Sequence, residues 1–240
     1  MIHTERHISS AFDRDLEALQ AHIMKMGGLV ESSIRDAAQA LLDRDEELAK
    51  SVRKTDKRID SLEEEINHEV ARLIALRAPT AGDLRTVLSV LKISSNLERC
   101  GDYTKNLAKR VTALAHMPPV DEAGPAIRRM ARDVDLMLKD ALDSFIQRDA
   151  ELAAQVIGRD EDIDQMYNAL FRELLTHMLE DPRNITACMH LHFIAKNMER
   201  MGDHVTNIAE QVIYLVTGEL PEESRPKGDR TPMMDAGGQV

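Results

Sequence analysis

The chain has 240 residues, with 31 basic and 42 acidic side chains and a formal net charge of −11. Apolar residues make up 43% but aromatics only 3%, and tryptophan is absent, so Leu, Ala, Ile, Val and Met must fill the interior. That diet suits helix packed on helix rather than a sheet sandwich, and the acidic balance counts against sequence-independent nucleic-acid binding and a general attraction to anionic lipid.

Cys100 and Cys188 stand far apart within helical patterns, which rules out a disulfide scaffold and points to a reducing compartment. Residues 1–10 carry charge and no apolar segment of the kind a secretory signal needs. No apolar run approaches the roughly 18 residues of a membrane span. A cytoplasmic, soluble protein is expected.

Proline breaks helix interiors at a cost of about 3 kcal/mol. Here the prolines gather at Pro79, Pro118, Pro119, Pro125 and Pro182, then at Pro221, Pro226 and Pro232. Between them the apolar spacing is helical, as in Val30, Ile34, Ala37, Ala38, Leu41 and Leu42. Six helices are predicted, over about 8–43, 46–78, 82–116, 122–147, 150–180 and 184–217. Gly27 and Gly28 in the first predict a kink or a close helix crossing. Asp45 and Asp149 read as N-caps of the second and fifth. Residues 218–240 mix Pro, Gly, Glu, Arg and Asp without periodicity and read as a disordered tail.

The chain also repeats itself. Shifted by 104 residues, 30–66 falls on 134–170, matching Asp36 with Asp140, Arg44 with Arg148, Asp45 with Asp149, Asp56 with Asp160 and Asp60 with Asp164. Shifted by 101, 93–108 falls on 194–209, matching Asn96, Glu98, Arg99, Gly101 and Asp102 with Asn197, Glu199, Arg200, Gly202 and Asp203. The expected fold is all-α: a tandem duplication of a three-helix bundle, with units at 8–116 and 120–217.

Each unit carries N-x-E-R-x-G-D. Glu98 and Asp102, like Glu199 and Asp203, are four apart and share a helix face. Asp56 with Asp60, and Asp160 with Asp164, repeat that spacing upstream. An antiparallel hairpin turning near residue 80 sets Asp60 level with about residue 101, and a turn near Pro182 sets Asp164 level with about residue 200. Two hairpins thus bring three or four carboxylates to one level, with Glu64 extending the first cluster where the second has Asn168.

Clustered carboxylates need a cation, protons or strong hydrogen bonds. Oxygen ligation suits divalent or iron cations such as Mg²⁺, Mn²⁺, Ca²⁺ or Fe, with Zn²⁺ in play only through oxygens. Arg99 and Arg200 offer neutralisation without metal, and solvated helix faces carry such acid pairs routinely. Gly101 and Gly202 cost about 1 kcal/mol each inside a helix; either room for a bound group or tight helix packing accounts for them.

These motifs, the twofold E-R-x-G-D, the preceding D-x-x-I-D and the duplicated six-helix layout, resemble the PhoU family over nearly everything but the tail. The resemblance implies metal binding at Glu98, Asp102, Glu199 and Asp203, with Asp56, Asp60, Asp160 and Asp164 as further acidic positions. It also implies a homodimer at the inner face of the membrane. There a cytoplasmic regulator would link a phosphate ABC transporter, through its ATPase component, to a sensor histidine kinase. That regulator would hold phosphate-starvation genes off when phosphate is plentiful.

Other signals are weaker. Glu65-x-x-His68 matches half of a ferritin-like di-iron element, but no second copy occurs. No phosphate-binding glycine loop, nucleophile elbow or zinc-protease motif is present. Cys100 reads as a buried thiol despite its neighbour Arg99. A regulatory adaptor is therefore expected rather than an enzyme, the rival readings being a carboxylate metalloenzyme and a purely structural helical scaffold.

Overall fold

The computed structural model describes residues 2–120 and 123–221. The elements are α1 (Ile2–Asp43), α2 (Glu46–Arg77), α3 (Ala81–Leu114), α4 (Ala123–Gln147), α5 (Ala150–Gly158), α6 (Asp160–Glu180), a 3-10 turn at Pro182–Asn184 and α7 (Ile185–Thr217). The protein is all-α, and its two halves are three-helix bundles, with α5 and α6 together taking the place of α2 in the second. Most of the tail expected from residue 218 lies outside the described residues.

Both predicted N-caps form. Asp45 Oδ1 accepts from the backbone N–H groups of Glu47 and Leu48, each at 2.9 Å, and Asp149 Oδ1 from those of Glu151 and Leu152 at 2.9 and 3.0 Å. The chain enters each cap through an arginine in the left-handed region, Arg44 at φ 54° and Arg148 at φ 52°. The expected fifth helix is interrupted after Gly158, at Arg159. Glycine weakens the helix there, and Asp160, Glu161 and Asp162 favour a fresh helix N-terminus. Arg159 is held by Asp140 at 2.6 Å. The first half carries Lys54 where Gly158 stands, and α2 is unbroken.

The halves pack antiparallel and share one hydrophobic core, α1 against α4 and α3 along α7, the latter being the most extensive pairing. Counterparts of the duplication therefore meet across a local twofold. Cys100 Sγ lies 4.0 Å from the Met201 carbonyl oxygen, and the rings of Tyr103 and His204 are 5.6 Å apart. Between α1 and α4, Arg35 Nη1 donates to both carboxylate oxygens of Asp135 at 3.0 Å and lies 3.6 Å from Glu31. Burial, then the charge of Asp135, holds the Glu31 carboxyl above its usual range.

Gly27 marks a close crossing, not a kink: α1 runs through it unbroken, and a Cβ there would collide with Leu142 of α4. A Cβ on Gly28 would meet nothing. Gly27→Ala should therefore destabilise by about 1–3 kcal/mol through overpacking, while Gly28→Ala should stabilise by about 0.5–1 kcal/mol through helix propensity. Urea unfolding of the two variants checks the sign of each.

Candidate functional site

The α2–α3 and α6–α7 hairpins are set by the two recurrent glycines. A Cβ at Gly101 would stand 3.1 and 3.2 Å from Cδ1 and Cγ2 of Ile59. One at Gly202 would stand 2.9 Å from Asp160 Oδ1 and 3.6 Å from Cγ2 of Ile163, the counterpart of Ile59. Of the two explanations for these glycines, close packing of the facing helix is the one observed. It also fixes the register that gathers the acids.

In the first hairpin Asp56 is buried, only 4% exposed, and Asp60, Glu98 and Asp102 are half-buried around it. Lys105 Nζ lies 2.6 Å from Asp56 Oδ2 and 2.6 Å from Asp102 Oδ1. Arg99 is 3.5 Å from both Glu98 and Asp102. Burial works against the Asp102 charge, but the hydrogen bond and charge of Lys105 outweigh it, so that carboxyl is held below its usual range. Lys105 is held above its usual range: its own desolvation is overcome by bonds to Asp102 and Asp56. Glu98 takes the strain. Burial first, then the neighbouring Asp102 charge, pushes its carboxyl from 4.5 to about 7. Asp60 and Glu63 are raised by burial and by the surrounding carboxylates.

In the second hairpin Glu199 is 6% exposed and Asp164 equally buried, with Asp160 and Asp203 half-buried. Lys196 Nζ holds Glu199 Oε1 at 2.8 Å. Burial raises the Glu199 carboxyl, with Asp203 and Asp164 adding to it against the lowering by Lys196. Asp160 lies over Gly202. Both sets of four predicted acids are thus assembled on their hairpins. In the first, Asp56 and not Asp60 is the buried partner of the α3 acids.

The expected Mg, Mn, Fe or Zn cation is not supported. Among the described residues no group of three or more His, Cys, Asp or Glu side chains is arranged to hold a metal ion. The physical reason lies in the lysines. Lys105 fills the space between Asp56 and Asp102, and Lys196 takes one oxygen of Glu199, so the counter-charge comes from the chain's own ammonium groups. The donor sets do not fit a metal.

Sequence reasoning passed over both lysines because the duplication hides them. Lys105 follows Asp102 by three and its counterpart is Thr206; Lys196 precedes Glu199 by three and its counterpart is Ser95. The available signal was an opposite-charge pair at i, i+3. Elsewhere, Cys100 is buried and its thiol pushed up to about 12 by burial and by Glu98. His68 is an exposed helix residue. No described helix is long and apolar enough to cross a membrane.

Duplicated three-helix bundles with an acidic hairpin in each half define the class, and the PhoU domain family pattern matches this chain twice, at 23–111 and 127–212. The chain belongs to the PhoU domain family. A "Phosphate-specific transport system accessory protein PhoU homolog" of Caulobacter vibrioides is 47% identical over 223 residues, 93% of this chain and 97% of the relative. The crystal structure of PhoU from Pseudomonas aeruginosa superposes with a TM-score of 0.84 at 40% identity, covering 87% of this chain and 100% of that one. That of the phosphate transport system regulatory protein PhoU from Streptococcus pneumoniae gives 0.81 at 33%, covering 88% and 100%.

A carboxyl raised on folding binds its proton more tightly in the native state, so its stabilising contribution is full below about 4.5 and is lost as pH rises through about 7. Glu98→Gln keeps the neutral form at every pH. Its melting temperature should gain on the parent at about pH 8 relative to the difference at about pH 5. A difference that is the same at both pH values would contradict the raised carboxyl.

Proposed function

We propose that the chain is a non-catalytic regulatory adaptor of phosphate uptake. It links a phosphate ABC transporter, through its ATPase component, to a sensor histidine kinase on the cytoplasmic side of the membrane. In that position it holds phosphate-starvation genes off while phosphate is plentiful. The observation that carries this reading is similarity at 47% identity, across 93% of the chain, to a protein named for phosphate-specific transport.

The site geometry favours binding over catalysis. Asp56 and Asp102 are tied to Lys105 and Glu199 to Lys196, and the Cys100 thiol is buried and raised to about 12. On this reading the eight acidic residues, Asp56, Asp60, Glu98 and Asp102 with Asp160, Asp164, Glu199 and Asp203, set the shape of the two hairpins. The helices then present their outer faces to partners, and the control is exerted by occupancy rather than turnover.

Deletion of the gene should release a phosphate-starvation reporter from repression in phosphate-rich medium, and the intact chain supplied in trans should restore it. Full repression in the deletion strain would contradict the regulatory role.

A further inference from the structure

One charged surface stands apart from the acidic hairpins. Between α1 and α4 runs a groove of 470 Å³ lined by Arg35 and Gln39 of α1 and by Arg128, Arg129, Arg132 and Asp135 of α4. Its floor is Ala38 and Ala131, both buried, whose small side chains leave the space. Arg128, Arg129 and Arg132 are exposed. Arg35 is bonded to Asp135 and Arg132 to Asp133, each at 3.0 Å, while Arg128 and Arg129 have no hydrogen bond or ion pair among the described residues. Four guanidiniums stand against three carboxylates, Asp135 in the lining with Glu31 and Asp133 beside it, and the surplus lies on Arg128 and Arg129, a local reversal of sign on a chain of net charge −11.

The duplication supplies an internal control. Shifted by 104 residues, Arg128, Arg129 and Arg132 fall on Met24, Lys25 and Gly28, while the neighbouring core positions Met130 and Val134 fall on Met26 and Val30. The core of the helix is the same in both halves and all four core residues are buried. The three arginines are therefore not a requirement of the helix crossing. They belong to the one side of the molecule that carries the groove.

We infer that this groove docks an acidic, carboxylate-rich segment of a partner protein. Planar guanidinium forks bind carboxylates bidentately, and arginine clusters are the usual readers of acidic segments. Arg128 and Arg132, one helical turn apart, face successive acidic side chains, with Arg35 opposing them from α1. At 470 Å³ the groove is larger than a single inorganic anion needs, and its concavity turns the floor away from a flat bilayer. A long polyanion would meet the acidic remainder of the surface, whereas a short segment touches the groove alone. The inference rests on the reading that the chain acts by binding.

The test uses the full chain and a fluorescein-labelled octaglutamate peptide, followed by fluorescence anisotropy at about 50 mM salt. The R128Q/R129Q/R132Q variant should weaken binding by roughly tenfold or more. R53Q/K57Q/R58Q, the same change in net charge at exposed positions of α2, should stay within about twofold of the parent. Both variants should keep the parental melting temperature, since every substituted residue is exposed. No parental binding, or equal weakening in both triples, would overturn the inference. So would displacement of the peptide by millimolar inorganic phosphate at constant ionic strength. Groove-dependent binding to phosphatidylserine vesicles without peptide binding would overturn it as well. These results are separable from the adaptor role, because reporter derepression in the deletion strain reads that role without reference to the groove.

Discussion

Asp56 sits on the buried face of α2 with Ile59 and Leu62, where a carboxylate needs a cation or strong hydrogen bonds against it. Lys105 supplies the cation, reaching across the hairpin to close on Asp56 and Asp102 together. The contact is possible because Gly101 admits Ile59 and so draws α2 onto α3 at that level. That packing sets the hairpin register, Lys105 neutralises the acids it buries, and the raised carboxyl of Glu98 follows from burial and from the Asp102 charge. The remaining carboxylates accept the crowding as shifts in protonation: Glu98 upward to about 7, Asp60 and Glu63 upward by burial and repulsion.

The second half solves the same problem with different residues. Glu199 and Asp164 are the buried acids there, and the lysine that holds Glu199 lies three residues before it. A shared backbone plan with exchanged side chains is the outcome expected when a duplicated unit is constrained by helix packing but free in its electrostatics. The antiparallel pairing of the halves imposes the further condition that counterparts meet at the local twofold. Cys100 meets Met201 and Tyr103 meets His204. On α4, three exposed arginines have no arginine among their counterparts.

Much of this was legible in the sequence. Proline positions, apolar periodicity and the caps at Asp45 and Asp149 located the helices, and the duplication located the acidic hairpins. Each of these signals is local or repeats at a fixed spacing. The break at Arg159 depends on a single Gly158 standing where the other copy has Lys54, too small a difference to outweigh strong periodicity on either side. The identity of the counter-ion was not legible. Whether a carboxylate cluster is neutralised by a metal or by an ammonium depends on where long, flexible lysine side chains come to rest, and neither Lys105 nor Lys196 is repeated. The arginine groove was likewise hidden, because it joins helices distant in the chain.

The most direct measurement is a double-mutant cycle between Asp56 and Lys105, read by urea unfolding with EDTA present throughout. If the ammonium is the counter-ion, Lys105→Met should cost about 3–5 kcal/mol by stranding a buried carboxylate. Asp56→Asn should then recover much of that loss in the double variant, and EDTA should leave the parent's unfolding midpoint where it was. Additive effects of the two substitutions, together with a parent destabilised by EDTA, would contradict the lysine closure.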